Sequence, residues 1–373
     1  MSEPIKPKIA ALEGLRGLMA VWVVLGHVSL TFGWRLPGID QNTLAVDVFI
    51  LLSGFVIARL IDQKQEPYAP YILRRAFRLF PLYLAVLAVS TALLGVQGEA
   101  WERVQALSPA NLGRSGLVDM ARAHLPLHLA THLPLAQGIV PSSLLPRAAY
   151  TLVGQAWSIS LEWQFYLLAP FMVWAVKARQ RWLLLGAAVA LLLLAAPLFS
   201  KAYLGAKILH FVVGGASYFA LERRFDKWAM GVLAAACLGV VLMDGAPQLI
   251  VLAIWLCVIA AVGGRLPLAG PSIDRLLSSA PLKRLGEISY SIYLVHMIPL
   301  YGVIVILGRM GVPAAQLGAW AAPLTLVLTY LIATATYRFI ERPGIDLGAA
   351  VTRGWARTAS SGSRGSAPAH QAP

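Results

Sequence analysis

Four long stretches without a charged residue most constrain what this chain can fold into. They cover residues 182–200, 245–264, 288–308 and 310–337. A helix of about 20 residues crosses the apolar part of a bilayer, so each stretch is long enough to span a membrane. Glycine, proline and aromatic residues inside them suit helices that pack closely in lipid. The sequence therefore predicts an all-α, polytopic membrane protein, and it lacks the alternating pattern of a lipid-facing barrel strand.

Composition supports this class. The chain is 58% hydrophobic and 13% charged, whereas a soluble domain carries roughly a quarter charged residues. The net charge of +14 is explained by basic loops on the cytoplasmic side of the membrane, so no nucleic-acid partner is expected. Cys237 and Cys257 lie in separate apolar runs and indicate neither a disulfide nor a metal site.

Hydropathy predicts a bundle of about ten transmembrane helices with both termini cytoplasmic. We expect residues 1–344 to form one membrane-embedded domain, with a long external loop at 97–156. The composition of small polar residues, Gly and Pro predicts a disordered cytoplasmic tail at 345–373. The predicted spans are 14–32, 44–61, 79–96, 157–176, 182–199, 203–221, 228–243, 248–263, 288–307 and 318–339.

The first predicted helix carries two ionisable residues, Arg16 and His27, eleven positions apart. Eleven residues make about three helical turns, so both side chains face the same way, roughly 16 Å apart along the axis. Holding such residues in a membrane is costly, which makes them functional candidates by default. The structural alternatives are an interfacial anchor for Arg16 and a helix-packing hydrogen bond for His27.

The second predicted helix carries Asp47 among apolar residues, followed by Ser53 and Gly54. A carboxylate in that position needs a partner, and a histidine is suitable. If Asp47 orients the His27 ring, His27 becomes a general base. A structural pair between helices, or a capping acid at the external end, is the alternative.

Three arginines, Arg74, Arg75 and Arg78, crowd the start of the third predicted span. Clustered arginines offer forked donors to phosphate groups. A spacing of three or four residues places Arg78 on one helix face with either of the others. The alternative is that they only obey the preference for positive charge at the cytoplasmic side.

Further candidates lie near the fourth and ninth spans. Glu162 is the only charge between Arg147 and Lys177 and lies between tryptophans, near the external interface or facing a cavity. A shallow interfacial acid is the alternative for it. The ninth span carries Tyr290 and His296, and His296 fits a packing role as well as a site role.

The long loop contains His124, His128 and His132 at intervals of four residues. That spacing can gather a metal ion on one helix face, but Pro126 interrupts the run and carboxylates are sparse nearby. No metal site is therefore predicted.

Six segments together resemble the acyltransferase-3 family of integral membrane O-acyltransferases. The resemblance runs in the family's order from about residue 8 to 344 and is carried by the segments LEGLRGLMAVWVVLGHV, DVFILLSGFVIARLI, YILRRAFRLFPLYL, AWSISLEWQFYLLAP, LGEISYSIYLVHM and FIERP. It implies a ten-helix bundle in the bacterial cytoplasmic (inner) membrane. It also implies transfer of an acyl group, usually acetyl from acetyl-CoA, to a hydroxyl of a glycan, a lipid-linked saccharide or a small hydroxylated acceptor. No bound cofactor is implied, because acyl-CoA is a co-substrate.

The resemblance also assigns roles to residues that match its motifs. The first-helix signature of the family contains Arg16 and a catalytic histidine, here His27. Paired arginines of the third helix handle the acyl donor. A run of Phe49-Ile50-Leu51-Leu52 replaces the aromatic pair that often precedes the Ser-Gly of the second helix. The resulting catalytic candidates are His27, Asp47 and Glu162, and the candidates for acyl-donor binding are Arg16, Arg75, Arg78, Ser53 and Tyr290.

These residues fit a mechanism in which the inner arginines hold the phosphates of CoA and His27 meets the acceptor hydroxyl. Ser53 or Tyr290 then stabilises the developing oxyanion. Direct transfer and an acyl-histidine intermediate both stay open. A transporter or exporter of a small acid or glycan intermediate is the main alternative, since buried charges and a basic inner mouth also describe a substrate pathway. A non-catalytic scaffold is a third.

Overall fold

The structure, a computed structural model, describes residues 9–178, 181–222 and 227–362. Within these ranges the chain forms helices, turns and connecting segments, with no β-strand, which confirms the all-α class. The α-helices, in chain order, are α1 Ala10–Thr31, α2 Asn42–Lys64, α3 Tyr68–Ala92, α4 Leu94–Val104, α5 Pro109–Ala123, α6 Leu125–His132, α7 Trp157–Val176, α8 Trp182–Ala195, α9 Leu204–Glu222, α10 Lys227–Asp244, α11 Gln248–Val262, α12 Gly270–Leu277, α13 Ala280–Glu287, α14 Ser289–Val295, α15 Met297–Arg309, α16 Ala314–Thr336 and α17 Arg342–Gly362.

Six of the described helical stretches are long and apolar enough to cross a membrane. The number rises to eight if each of two bent helix pairs forms one span. Two further apolar helical stretches, Trp182–Leu198 and Gln248–Val262, are shorter. The chain is thus a multi-pass membrane protein, while the count of ten spans and the cytoplasmic termini stay predictions. The six stretches are Ala10–Thr31, Asn42–Lys64, Gly154–Val176, Leu204–Glu222, Lys227–Asp244 and Ala314–Arg353.

Both bent pairs lie where the sequence predicts an unbroken span. Helices α3 and α4 meet at 67°, inside the predicted span 79–96, and α14 and α15 meet at 43°, inside 288–307. Irregular backbone at membrane depth is tolerated where it is covered by protein or lines a cavity. The second break falls at His296, between Val295 and Met297, and this places that histidine at a helix end.

The C-terminal part also differs from the prediction. A helix, α17, occupies Arg342–Gly362, where the sequence predicts a disordered tail from residue 345. It packs against α3, because Gly348 leaves room for the Phe77 side chain and Thr352 is buried. Arg74 of α3 donates to Thr352 Oγ1 at 3.4 Å. Residues 363–373 of the predicted tail lie outside the described residues.

Helices α2 and α9 pack backbone to backbone through two glycines. A Cβ atom added at Gly54 would lie 2.3 Å from the Phe211 carbonyl oxygen, and one at Gly214 would lie 2.0 Å from the Leu51 carbonyl oxygen. Small residues that permit such close approach are common where helices pack in lipid, because burial of apolar surface contributes little to helix association there. This contact fixes α9 beside α2, and with it the polar residues that the two helices share.

Replacing Gly214 by alanine is therefore expected to destabilise the bundle by about 1–3 kcal/mol, the usual cost of overpacking a tight contact. Thermal unfolding in detergent measures the effect. Gly186→Ala in α8 is the matched control, because nothing lies within 4 Å of a Cβ atom added there. Equal melting temperatures for the two variants would contradict the proposed contact.

Candidate functional site

His27 lies in the wall of a cavity of about 450 Å³. Helix α1 carries the histidine, and α4, α5 and the segment preceding α7 supply most of the remaining wall. These elements belong largely to the connection at 97–156 that the sequence predicts to be external. The long connection therefore builds the cavity that His27 faces.

Arg114 of α5 reaches across this cavity to His27. Its Nη2 atom lies 3.2 Å from His27 Nδ1, and its Nη1 atom donates to Thr31 Oγ1 at 2.6 Å and to Asn111 Oδ1 at 3.1 Å. Its guanidinium carbon lies 4.9 Å from the centroid of the Trp101 ring. Burial lowers the pKa of the guanidinium to about 10, which leaves Arg114 charged at neutral pH. No carboxylate pairs with Arg114 among the described residues.

These contacts determine the tautomer of His27. A guanidinium has only N–H donors, so His27 Nδ1 must accept the hydrogen bond from Arg114. The neutral ring therefore carries its proton on Nε2. The unprotonated nitrogen, Nδ1, is the atom that borders Arg114.

A second imidazole, that of His296, lies beside His27 with ring centroids 5.1 Å apart. Its Nδ1 donates to the Tyr293 carbonyl oxygen at 2.7 Å, and a carbonyl can only accept. The proton of this ring is therefore on Nδ1. His296 Nε2 is buried and has no hydrogen-bond partner in the part of the chain that the structure describes.

The cavity wall combines aromatic rings with amides and cations. Its lining contains no Asp or Glu from the described residues. The Tyr301 hydroxyl in this wall is buried without a hydrogen-bond partner among those residues. The aromatic and polar residues of the wall, besides His27 and Arg114, are Ser90, Gln97, Trp101, Arg147, Tyr150, Gln155, Trp157 and Tyr301.

The predicted contact between Asp47 and His27 is wrong. Asp47 Oδ1 pairs with Lys207 Nζ at 2.9 Å, and Asp47 Oδ2 accepts from Gln248 Nε2 at 2.7 Å. Lys207 also donates to Asp244 Oδ2 at 3.0 Å. His210 Nε2 lies 3.9 Å from Asp47 Oδ2. Asp47 therefore joins α2 to α9, α10 and α11, because the glycine contact between α2 and α9 brings Lys207 beside it.

Ser53 and Glu162 come together in a second polar cluster. Ser53 Oγ donates to Glu162 Oε1 at 2.9 Å, and the Tyr166 hydroxyl donates to the same oxygen. The guanidinium carbon of Arg75 lies 5.8 Å from the centroid of the Tyr166 ring. Within the described ranges, no hydrogen bond or ion pair joins this cluster to His27.

Arg78, Arg16 and Tyr290 border the same cluster. Arg78 lies within electrostatic reach of Glu162 and Glu341, and Arg16 within reach of Glu341. Glu341 Oε2 accepts from Ser291 Oγ at 2.7 Å. The Tyr290 hydroxyl donates to the Leu79 carbonyl oxygen at 2.7 Å. The structure thus gathers the predicted donor-binding residues into one interior region and keeps His27 and Asp47 apart from it.

A group of cations lies at one end of this region. Lys64, Arg74 and Arg75 are within electrostatic reach of one another. Glu66 pairs with Lys64 at 3.4 Å and with Arg74. Arg75 Nε is buried without a hydrogen-bond partner among the described residues.

The histidines of the long loop bond to protein groups. His128 Nδ1 lies 2.9 Å from Thr151 Oγ1, and His132 Nε2 lies 2.9 Å from the Ala148 carbonyl oxygen. The Tyr83 hydroxyl donates to the His132 carbonyl oxygen at 2.8 Å. His124 is exposed. These bonds fasten α6 to the segment before α7 and to α3.

Sequence reasoning missed Arg114, Lys207 and Glu341 as members of these groups. Lys207 had a usable signal, because it is an ionisable residue inside a predicted span. Glu341 lies in the quoted FIERP segment. Arg114 had none, since it is one of several arginines in a long polar connection and only the fold brings it to His27.

Comparison with known proteins shows the family to which the chain belongs. A family profile described as "Acyltransferase domain" matches residues 9–338. A Komagataeibacter xylinus protein, provisionally named the membrane-bound transacylase BcsY, is 27% identical over 90% of this chain and 82% of its own length. The acyltransferase MdmB of Streptomyces mycarofaciens is 25% identical over 91% of this chain and 92% of its own length.

A third relative is the peptidoglycan O-acetyltransferase OatA of Listeria monocytogenes. It is 23% identical over 90% of this chain but only 55% of its own length. No solved structure matches the chain significantly. Because the family profile spans most of the residues and these relatives align over nearly the whole chain, the protein belongs to the acyltransferase-3 family.

Proposed function

We propose that this protein is an O-acyltransferase that moves an acyl group from acyl-CoA, with acetyl-CoA as the expected donor, to a hydroxyl of a saccharide or related acceptor. The observation that carries the proposal is the position of His27, in the wall of a cavity of about 450 Å³ and next to Arg114. A neutral imidazole that faces a cavity large enough for a sugar unit suits deprotonation of a hydroxyl, and the adjacent guanidinium suits stabilisation of an oxyanion.

The acyl donor binds through the cations around Arg75. Coenzyme A carries several phosphate charges, and arginine recognises phosphate with forked donors. The buried, unpartnered Nε of Arg75 and the nearby Lys64 and Arg74 support this assignment. Arg16 and Arg78 have Glu341 within reach, so they add less net charge to the donor site.

The acceptor binds in the cavity beside His27. Aromatic rings such as Trp101 and Trp157 offer flat apolar faces, and Gln97 and Gln155 offer amide groups. Rings that stack on sugar faces, together with amides that bond to hydroxyls, suit a saccharide. The relative named as a peptidoglycan O-acetyltransferase supports a glycan or a lipid-linked saccharide as acceptor.

The chemistry joins these two sites at the thioester. The acceptor hydroxyl takes the place of Arg114 at His27 Nδ1 and gives its proton to that nitrogen. Its oxygen bonds to the thioester carbon, and Arg114 stabilises the negative charge that develops on the carbonyl oxygen. The carbon–sulfur bond then breaks and the released thiolate takes the proton back from His27 Nδ1, so the products are an ester and free CoA and His27 is neutral again. Direct transfer of this kind needs no acyl-enzyme intermediate.

The proposed location is the bacterial cytoplasmic (inner) membrane, with the donor site facing the cytoplasm and the His27 cavity facing outwards. The distribution of Lys and Arg among the loops supports this orientation. Cysteines introduced at the N-terminus and in the loop at 97–156, probed with an impermeant thiol reagent, test it.

The function is tested by measuring free CoA released from acetyl-CoA by the purified protein in the presence of a glycan extract. Release that depends on the extract, together with an acetylated glycan seen by mass spectrometry, supports the proposal. Uptake or export of a metabolite by vesicles, without any CoA release, would instead support a transporter.

The Arg75→Gln variant is expected to raise the KM for acetyl-CoA about tenfold, with kcat little changed. The reason is that Arg75 contributes to binding of the CoA phosphates rather than to the acyl transfer step. Lys283→Gln is the matched control, because Lys283 is exposed and the substitution removes the same charge. An unchanged KM in Arg75→Gln would exclude this residue from the donor site.

A further inference from the structure

We propose that the acceptor is an anionic saccharide, one that carries a carboxylate or a phosphate group close to its reacting hydroxyl. The proposal rests on the proposed function, because it names the class of acceptor that the cavity beside His27 takes. It follows from the charges that face this cavity, and above all from Arg147, a side chain that the acyl-transfer step does not use.

Two of the four arginines in the long connection, residues 97–156, are paired with carboxylates. Arg103 Nη2 lies 2.8 Å from Glu99 Oε1, and Arg122 Nη1 lies 3.8 Å from Asp119 Oδ1. Neither arginine lines the cavity. The carboxylates beside them balance their charges, so these two arginines contribute little to the electrostatic potential of the cavity.

The other two arginines, Arg114 and Arg147, both line the cavity. Neither forms an ion pair with a carboxylate among the described residues, and those residues contribute no Asp or Glu to the lining. With the His27 ring neutral, the described lining therefore carries two positive charges and no negative one. Protein walls screen such charges less than bulk water does, so the cavity favours an anion.

The two cations have different roles in the proposed reaction. Arg114 donates to His27 Nδ1 and then stabilises the oxyanion that develops on the thioester. Arg147 has no such role. Its side chain is exposed and lies within electrostatic reach of the Tyr150 hydroxyl in the same wall. An exposed guanidinium at the cavity surface can bind a carboxylate or a phosphate through its forked donors when the acceptor enters.

The backbone around Arg147 is held in an uncommon conformation. Arg147 has a φ of +53°, and Leu152, in the same cavity wall, has a φ of +55°. Residues other than glycine seldom adopt this left-handed region, and such strained positions are concentrated at ligand-binding sites. The Arg147 carbonyl oxygen accepts from the Tyr150 N–H at 2.9 Å, so a hydrogen-bonded turn follows directly. This turn fixes the point at which the Arg147 side chain leaves the backbone.

The same part of the chain supplies groups that suit a sugar ring. Tyr150, Gln155 and Trp157 line the cavity together with Arg147. Aromatic faces can stack on the sugar and the amide can bond to its hydroxyls, while the guanidinium binds its charge. A neutral saccharide would leave both cavity arginines without a counter-ion, and an anionic one supplies it.

The first test divides the glycan extract of the CoA-release assay by anion exchange. The retained, anionic fraction is expected to support CoA release, and the neutral fraction at equal sugar concentration is expected to give a rate about tenfold lower. Chemical reduction of the carboxyl groups and enzymatic removal of the phosphates then distinguish the two sources of charge. The treatment that abolishes CoA release identifies the anion. A neutral fraction with full activity, or a retained fraction that stays active after both treatments, would overturn the proposal.

The second test uses variants of Arg147. Arg147→Gln is expected to raise the KM for the retained fraction about tenfold, with kcat and the KM for acetyl-CoA little changed. Arg147→Lys keeps the positive charge and should retain most of the affinity. Arg35→Gln is the matched control, because Arg35 is exposed and is absent from the cavity lining.

The outcomes separate this inference from the function that it rests on. If Arg147→Gln keeps the wild-type KM for the retained fraction, the anionic acceptor is overturned and the transferase proposal stands. A rise in the KM for acetyl-CoA instead would also overturn it, because the cavity would then bind the donor. If the unfractionated extract supports no CoA release, the proposed function itself fails, and the anionic acceptor fails with it.

Discussion

Replacing His27 by alanine is expected to lower the kcat for acyl transfer by about 10²–10⁴-fold, the usual contribution of a positioned general base. The variant loses the imidazole in the cavity lining that accepts a hydrogen bond from Arg114. Its KM for acetyl-CoA should change little, because the cations around Arg75, which we propose as the donor site, make no hydrogen bond or ion pair with His27 among the described residues. Free CoA release and the mass of the acylated product measure the effect.

His124→Ala is the matched control for this experiment. His124 lies in the same long connection, residues 97–156, but is exposed and is absent from the cavity lining. It should therefore retain wild-type turnover. A His27→Ala protein that is folded and keeps more than a tenth of the wild-type kcat would disprove the role of His27 as the base. It would also revive the scaffold alternative.

Replacing Lys207 by methionine is expected to destabilise the protein by about 3–5 kcal/mol, the typical effect of removing one partner from a buried ion pair. The side chains of Lys207 and Asp47 are 8% and 3% exposed. Water therefore cannot solvate the charge of the Asp47 carboxylate once the Lys207 ammonium is removed. Equilibrium unfolding in mixed detergent micelles measures the loss. The double variant Asp47→Asn/Lys207→Met should recover most of it, since no buried charge then lacks a partner.

Lys227→Met provides the control, because Lys227 is exposed and the substitution is chemically the same. Similar stabilities for Lys207→Met and Lys227→Met would show that the pair contributes little. The same proteins also distinguish a structural Asp47 from a catalytic one. Turnover per folded molecule should be unchanged in the double variant if Asp47 only joins helices, and should collapse if Asp47 takes part in the reaction.

Much of the helical framework could be predicted from hydropathy. The predicted span 14–32 corresponds to α1, Ala10–Thr31, and the predicted span 44–61 lies inside α2, Asn42–Lys64. Apolar runs of this length leave few alternatives to helix in lipid. The break at His296 had a sequence signal, because Pro299 lacks the amide that would donate to the Val295 carbonyl and its ring clashes with that carbonyl. The break at Leu93 had none, because no proline lies in the four residues after it.

The site was predictable only where its residues share one helix. Arg16 and His27 are related by helical periodicity, so their common helix followed from the sequence. The partner of Asp47 did not follow, because Lys207 lies 160 positions further along the chain and meets it only through the close packing of α2 on α9, where Gly54 borders Phe211 and Gly214 borders Leu51. Arg114 depends in the same way on how α5 packs over α1.

The unbroken course of α1 fixes the distance between its two ends. Arg16 and His27 are separated by roughly 16 Å along the axis, and no bend occurs within Ala10–Thr31. If an anionic group of the donor binds at Arg16 while its acyl carbon lies at His27, the donor must bridge that distance. Acetyl phosphate, whose phosphate adjoins the acyl carbon, cannot place its phosphate at Arg16 and its acyl carbon at His27 at the same time. With Arg16 and His27 in these roles, the helix would set a minimum length for the donor and leave the choice of acyl group to other parts of the protein.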